Sequence, residues 1–128
     1  MYLAQAVEEN GFGHVWTVDP FEYGQLSTFS RSPLAGHITY QQIRGCDFKC
    51  ETPIDFVFID GFHEKTAVEE EIKAIFPQLS SKATVVFHDC ESSNDSCDVN
   101  GAVANLHTVR LPTHAHIRIY NHEADTRG

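Results

Sequence analysis

Residues 54–63, IDFVFIDGFH, are the most informative stretch of this chain. The run over residues 54–59 is rich in β-branched and aromatic side chains and is too short for a helix of typical length. It lacks regular polar alternation, so we predict a strand that is buried on both faces, as in a parallel sheet. Asp60 then lies at the carboxyl end of this strand, where open parallel sheets bind their ligands. The stretch therefore predicts both the core of an α/β fold and the position of a site.

The composition indicates one acidic domain. The chain has 128 residues, 9 basic and 18 acidic side chains, and a formal net charge of −9. This charge repels a phosphate backbone, so we expect neither nucleic acid nor an anionic membrane as a partner. No apolar stretch approaches the roughly 20 residues that cross a bilayer, and the N-terminus lacks the features of a signal peptide. We expect a cytoplasmic protein with one domain over residues 1–120 and a tail at 121–128.

Strand and helix patterns alternate along the chain, which predicts an α/β sheet. The predicted strands cover residues 14–18, 38–43, 54–59 and 83–87, and the predicted helices cover residues 2–10, 68–79 and 101–107, with a short helix within 21–36. Residues 108–111 and 117–120 are expected to pair as a hairpin across Pro112-Thr113. Residues 91–100 are polar and are expected to form a loop. We predict a mostly parallel sheet with an antiparallel hairpin at its C-terminal end.

Acidic side chains follow three of the four predicted parallel strands. These are Asp19, Asp60 and Asp89, with His63 and His88 close by in sequence. Acids often follow strands because they cap the next helix or favour turns, so a single one would carry little weight. Three at one rim instead indicate a site. Carboxylates from neighbouring strand ends can share a divalent cation, and an imidazole can join them for manganese, iron or zinc.

His63 lies three residues after Asp60, beyond a glycine that lets the backbone turn. An imidazole has a near-neutral pKa, so His63 is suited to remove a proton from a hydroxyl group that is bound beside a metal ion. The alternative is a polar histidine that caps the helix starting near Glu64. We favour the catalytic role because of the position of His63 beside the acids.

The cysteines and the remaining histidines are less informative. The spacings between the four cysteines do not match paired zinc knuckles, so we favour reduced thiols over a zinc site; they are Cys46, Cys50, Cys90 and Cys97. His114 and His116 alternate as strand neighbours do, and we interpret them as a solvent-facing pair rather than a metal pair.

Several segments carry a resemblance to a known family. IDFVFIDGFH at 54–63, the helix over 68–79 and ATVVFHD at 83–89 together resemble the second half of a class I S-adenosylmethionine-dependent methyltransferase. HVWTVDP at 14–20 resembles the second strand of that family. The chain is most similar to the small metal-dependent O-methyltransferase-like branch, which is related to catechol and macrolide-sugar methyltransferases and to cephalosporin hydroxylase-type proteins. The resemblance spans residues 2–120 and implies a Rossmann-like methyltransferase sheet.

The resemblance also implies roles for individual residues. Asp19 takes the place of the acid that holds the ribose hydroxyls of S-adenosyl-L-methionine. Asp60 matches the first metal ligand of the family, and His88 and Asp89 fall where a consecutive pair of ligands is found. His63 matches the proposed general base of the sugar-modifying members. The implied cofactors are S-adenosyl-L-methionine and a divalent metal ion, for which Mg²⁺ is expected, and the implied acceptor is a small molecule or a sugar.

The family pattern includes a first strand and a glycine-rich loop that would precede Met1, and we therefore expect an N-terminally truncated domain. Two functions stay open on this basis. One is methyl transfer from S-adenosylmethionine to a hydroxyl group; the other is a non-catalytic remnant or partner-dependent module that no longer binds the cofactor. Because unpaired strand edges invite pairing between chains, a homo-oligomer is also expected.

Overall fold

The computed structural model describes residues 1–90 and 97–123 of the chain. Most of the polar loop predicted at residues 91–100, and the end of the predicted tail, lie outside these residues. The chain divides into two compact units, Met1–Asp47 and Phe48–Gly128. The single domain predicted over residues 1–120 stays a prediction.

The first unit contains a two-stranded parallel sheet and two helices. Strand β1 (Val15–Val18) pairs with β2 (Ile38–Gln41) in parallel. Helix α1 (Tyr2–Asn10) precedes β1, and α2 (Gln25–Ser30) lies between the two strands. Helix α1 ends where the sequence predicts, because Gly11 adopts a left-handed conformation with φ of 74° and its N–H donates to the carbonyls of Val7 and Glu8.

The second unit contains a four-stranded sheet in the order β3-β4-β6-β5. Its strands are β3 (Ile54–Ile59), β4 (Leu79–Phe87), β5 (Thr108–Leu111) and β6 (His114–Asn121). Strands β3 and β4 are parallel, whereas β6 runs antiparallel to both β4 and β5. This sheet is therefore mixed, with one parallel and two antiparallel strand pairs, and the predicted C-terminal antiparallel hairpin is confirmed.

Helix α3 (Lys65–Ile75) packs on one face of this sheet, and the core of the second unit lies between the helix and the sheet. Val68 and Ile75 of the helix are buried, together with Val85, Phe87 and Tyr120 of the sheet. The apolar period predicted a helix through residue 79, but α3 ends at Ile75 and a 3₁₀ turn with Pro77 follows it. Proline cannot donate a backbone hydrogen bond, so the α-helical ladder stops there.

The prediction that β3 is buried on both faces is wrong. Val57 and Ile59 pack into the core, whereas Phe56 and Phe58 are 44% and 50% exposed. Strand β3 lies at one end of the four-stranded sheet and α3 packs on one of its faces. A continuous apolar run reports hydrophobicity but does not show which faces other elements will cover.

Helix α4 (Val99–Ala102) replaces the helix predicted over residues 101–107. It begins two residues earlier, because the side chain of Asp98 caps it and accepts a hydrogen bond from the N–H of Gly101 at 2.8 Å. In the described parts of the chain, none of the helices is long and apolar enough to cross a membrane.

Candidate functional site

The carboxyl ends of β3 and β4 lie side by side. Ile59 pairs with Phe87 at the end of the parallel ladder, and the N–H of His88 donates to the carbonyl of Ile59 at 3.1 Å. The residues that follow the two strands, Asp60 on one and His88 with Asp89 on the other, are therefore neighbours. Parallel pairing alone brings them together, since it places both carboxyl ends at one edge.

Four side chains meet at this edge, and we name them the acid–histidine corner: Asp60, His63, His88 and Asp89. Nε2 of His63 lies 2.7 Å from Oδ2 of Asp89 and 3.8 Å from Oδ1 of Asp60. Nδ1 of His88 lies 3.0 Å from Oδ2 of Asp89 and 3.1 Å from Oδ1 of Asp60. The side chains are 30% to 41% exposed, so the corner is accessible from solvent.

His63 reaches the corner through the turn that precedes α3. The N-cap of α3 is Glu64, and no side-chain hydrogen bond caps this helix. The ring of His63 instead contacts Asp89, and its backbone carbonyl accepts a hydrogen bond from the N–H of Asp98 at 2.8 Å. The structure thus disfavours the alternative in which His63 caps the helix.

Asp89 has an unusual backbone. Its φ of 59° lies in the left-handed region, and Asp89 is the one non-glycine residue with positive φ among the described residues. This conformation is uncommon outside glycine, although aspartate and asparagine adopt it more readily than other residues. Such positions concentrate at functional sites, where the surrounding structure holds them.

The electrostatics of the corner follow from these contacts. The contact with Asp89 raises the pKa of His88; burial opposes this shift, and the charge of Asp60 adds to it. The contact with His88 lowers the pKa of the Asp89 carboxyl group; burial again opposes the shift, and the charges of His63, His88 and His116 add to it. Both shifts favour a protonated imidazole beside an ionised carboxylate.

His116 was not predicted as part of the site. Its ring packs edge-on against the ring of His88, with centroids 4.9 Å apart, and its carbonyl accepts a hydrogen bond from the N–H of Cys90 at 2.8 Å. His114 is exposed and His116 is partly exposed, and their rings are in contact with centroids 5.9 Å apart, so His116 joins the predicted pair to the corner. The position of His116 follows from the register of the sheet. Phe87, the last residue of β4, pairs with Arg118 of the antiparallel β6, so His116, two residues before Arg118, lies beside the residues that follow β4.

Asp19 belongs to the first unit and follows β1. Its Oδ1 accepts a hydrogen bond from the N–H of Phe21 at 2.8 Å, which is the turn-forming contact expected of an acid in this position. A carboxylate has a second oxygen and further lone pairs, so this contact leaves acceptor capacity for a ligand. The cofactor-binding role of Asp19, and its place on one rim with Asp60 and Asp89, stay predictions.

The corner fits a divalent cation. Asp60, His63 and Asp89 can each offer one ligand atom, and these atoms all lie within 4.8 Å of one another. The buried Nδ1 of His88 faces the same two carboxylates, at 3.0 Å and 3.1 Å. In a neutral imidazole such an atom can present a lone pair, which would bind a cation held between the carboxylates. The four cysteines are free thiols and none of them belongs to this cluster.

Comparison with known proteins identifies the family. A family profile described as a methyltransferase domain matches residues 1–90, which is more than half of the chain. The chain belongs to this methyltransferase family. The sequence-based assignment to the class I S-adenosylmethionine-dependent methyltransferases is thereby confirmed. No curated protein matches the chain significantly.

Solved structures show the same fold for this methyltransferase domain. A protein from Corynebacterium glutamicum has a TM-score of 0.64 at 16% identity, and the match covers 91% of this chain and 65% of that one. A candidate O-methyltransferase from Nostoc punctiforme also has a TM-score of 0.64, at 11% identity, covering 94% of this chain and 48% of that one. The N-methyltransferase NodS from Bradyrhizobium japonicum, also solved with S-adenosyl-L-homocysteine, has a TM-score of 0.59 at 12% identity and coverages of 84% and 71%.

The methyltransferase domain thus spans 65% and 48% of the length of the first two structures. At these identities the likeness concerns the fold, and it confirms the predicted mixed α/β, Rossmann-like architecture. The roles of Asp19, Asp60, His63, His88 and Asp89 stay predictions from the sequence, to which the structure adds the geometry of the corner.

Proposed function

We propose that this methyltransferase domain transfers a methyl group from S-adenosylmethionine to a hydroxyl group of a small molecule or a sugar, with a divalent metal ion at the acid–histidine corner. One observation carries the proposal: two carboxylates and two imidazoles converge at the carboxyl ends of paired parallel strands in a chain of this family. The net charge of −9 further favours a small neutral acceptor over a nucleic acid.

In this proposal Asp60, His88 and Asp89 hold the metal ion, as the family resemblance implies. The cluster of possible ligand atoms groups His63, rather than His88, with the two acids; we assign His63 to proton removal instead. The two carboxylates supply hard oxygen ligands and the imidazole supplies a nitrogen. A bound ion would orient the acceptor hydroxyl and make its proton more acidic. The contribution of the protein is then mostly to position the acceptor oxygen in line with the methyl group.

His63 removes the proton of the acceptor. Its Nε2 lies 2.7 Å from Oδ2 of Asp89. When Nε2 carries the hydrogen and donates it to this carboxylate, Nδ1 keeps the lone pair that can accept a proton. Asp89 therefore both orients the ring of His63 and stabilises the imidazolium that forms, as a carboxylate does in other histidine-based sites.

Asp19 binds the cofactor, and S-adenosylmethionine supplies the activated methyl group. Two hydroxyls of a ribose can donate hydrogen bonds to one carboxylate. The family profile includes the segment that carries Asp19, which supports a cofactor role for the first unit.

Calorimetry with S-adenosylmethionine tests the cofactor part of the proposal. We expect binding at micromolar concentrations, and we expect Asp19→Ala to weaken it by about tenfold or more, since a charge-assisted hydrogen bond contributes roughly 1.5–3 kcal/mol. Asp55→Ala, which changes an exposed aspartate on β3, should leave the affinity unchanged. Absence of binding to the wild-type chain would refute the proposal and favour the non-catalytic module.

Transfer of labelled methyl groups to a panel of catechols and simple sugars tests the catalytic part. His63→Ala should lower the rate by about 10²–10⁴-fold, which is the usual contribution of a general base, and leave the affinity for S-adenosylmethionine unchanged. His114→Ala, at an exposed histidine, serves as the control. An unchanged rate in His63→Ala would show that His63 is not the base.

A further inference from the structure

The ring of His88 contacts two aromatic neighbours. Phe58 has its ring centroid 6.2 Å away, with an angle of 65° between the planes. His116 is packed edge-on at 4.9 Å with an angle of 80°. The backbone of His116 is itself tied to the end of β4 through the hydrogen bond from Cys90. These contacts keep Nδ1 of His88 directed at the carboxylates of Asp60 and Asp89.

The distances from Nδ1 of His88 to the two carboxylate oxygens are those expected between neighbouring ligand atoms of one ion. Nδ1 of His88 lies 3.1 Å from one carboxylate oxygen and 3.0 Å from the other. Two ligands bound at about 2.1 Å from the same ion, at right angles to each other, are about 3.0 Å apart. The buried Nδ1 therefore lies where a ligand atom would be.

The chemistry of a nitrogen ligand decides which ions such a site prefers. Mg²⁺ is bound through oxygen ligands and gains little from imidazole. Imidazole suits zinc, copper, iron and nickel, and the affinity of mixed nitrogen and oxygen sites rises along the first transition row. A corner with two carboxylates and one imidazole is thus biased against Mg²⁺.

We propose that the acid–histidine corner selects a first-row transition-metal ion over Mg²⁺, with Nδ1 of His88 as the nitrogen ligand and His116 as the residue that positions it. The inference rests on the proposed function, because it concerns the ion at the same corner. It replaces the Mg²⁺ expected from the family resemblance. His116 acts through the orientation of His88 and does not bind the ion itself.

Nitrogen ligation is tested by long-range ¹H–¹⁵N spectra of the ¹⁵N-labelled full chain during titration with Zn²⁺. We expect the Nδ1 resonance of His88 to shift on metal binding, and the resonances of His14, whose Nε2 contacts Thr39 in the first unit, to stay in place. The shifted signal should be lost in His88→Ala. A shift at Nε2 of His63 with none at Nδ1 of His88 would overturn the ligand assignment.

Selectivity is tested by comparing the dissociation constants of Co²⁺ and Mg²⁺ for the wild-type chain by calorimetry. We expect Co²⁺ to bind at least about 100-fold more tightly than Mg²⁺. His88→Asp replaces the nitrogen with a third carboxylate, so the preference for Co²⁺ should fall by about tenfold or more. Wild-type binding of Mg²⁺ as tight as that of Co²⁺ would overturn the proposal without any use of a variant.

The role of His116 is tested by two substitutions. His116→Ala removes the packing against His88 and should weaken Co²⁺ binding by about tenfold, as loss of a supporting residue commonly does. His116→Phe keeps an aromatic ring in this place and should restore most of the affinity. If the phenylalanine variant binds as weakly as the alanine variant, His116 is not a positioning residue. His37→Ala, at a histidine of the first unit, is the control.

These outcomes separate the inference from the proposed function. Binding of S-adenosylmethionine and methyl transfer are measured independently of the metal titrations. Absence of binding by every ion would overturn both this inference and the metal in the proposed function. Equal affinity for Co²⁺ and Mg²⁺ would overturn this inference alone.

Discussion

At the scale of single residues, Asp89 combines a charged contact with an unfavourable backbone. It lies within 3.0 Å of two imidazoles and adopts a φ of 59°. Asparagine tolerates the left-handed region better than alanine because its short polar side chain can hydrogen-bond locally. The backbone and the charge of Asp89 can therefore be separated by comparing two neutral substitutions.

We predict that Asp89→Asn is more stable than Asp89→Ala by about 1 kcal/mol, because both lose the charge but only alanine is strained at positive φ. Urea unfolding in the presence of a chelator measures the difference. As a control, Asp55→Asn and Asp55→Ala change an exposed residue on β3, and the asparagine variant should not be the more stable of the two. Equal stabilities at position 89 would contradict the left-handed conformation.

His88 and Asp89 also predict how stability depends on pH. The pKa of His88 is raised in the folded chain, so its contribution is fully present below the unfolded value of about 6.5 and is lost as the pH rises through the folded pKa. The pKa of Asp89 is lowered, so its contribution is present above about 3.8 and is lost as the pH falls through the folded pKa. The pair thus stabilises the metal-free fold most between these two values.

Removal of the His88 imidazole should make the free energy of unfolding less dependent on pH above about pH 6. We expect the free energy of unfolding of the wild-type chain, measured with a chelator, to fall between pH 6 and pH 8 more steeply than that of His88→Asn. His114→Asn should keep the wild-type slope, since that ring is exposed and lies outside the corner. Identical slopes for wild type and His88→Asn would refute the predicted linkage.

At the scale of elements, the N-terminal cap of the short helix α4 supports the backbone of His63 in the corner. The Asp98 side chain caps α4 by accepting from Gly101, and the Asp98 N–H donates to the carbonyl of His63. A Cβ atom at position 101 would overlap the carboxylate of Asp98. Glycine at position 101 therefore allows Asp98 to cap α4. The capped Asp98 in turn holds the backbone of His63 through its N–H.

We predict that Gly101→Ala and Asp98→Ala each lower the free energy of unfolding by about 1 kcal/mol, and that the double variant loses less than the sum. The reason is that both single changes remove the same cap. Gly36→Ala, where an added Cβ atom would meet open space, is the control and should have little effect. Additive losses in the double variant would contradict the shared cap.

At the scale of the whole molecule, the four-stranded sheet leaves apolar surface on its terminal strands. Phe56 and Phe58 of β3 are about half exposed, and Val109 of β5 is 69% exposed. In the described part of the chain these two strands form the ends of the sheet. Strand edges with apolar side chains favour pairing between chains.

We therefore expect the protein to self-associate with increasing concentration, as the sequence predicts. Light scattering over a concentration series measures this behaviour. Phe56→Lys should reduce association because a lysine on an edge strand disfavours pairing. Phe21→Lys, a similarly exposed position in a loop of the first unit, should change it less. A monodisperse monomer at all concentrations would refute the expectation.

The strands of the site and the acids at their ends could be predicted from the sequence. Residues 54–59 and 83–87 form strands because β-branched and aromatic side chains suit a pleated, buried backbone, and residues after such strands in parallel must share an edge. This is why Asp60 and Asp89 could be predicted as neighbours. The exact end of α3 followed from Pro77 and could also have been read from the sequence.

The side chains that complete the site and the faces that are covered could not be predicted, because they depend on tertiary contacts. His116 reaches His88 because β6 inserts between β4 and β5 in a particular register, and the half-exposed Phe56 and Phe58 reflect α3 packing on one face. Local periodicity arises from the sterics of neighbouring residues, whereas register and coverage depend on contacts between residues far apart in the chain. For that reason the acids of the corner were visible in the sequence, and the histidine that supports them was not.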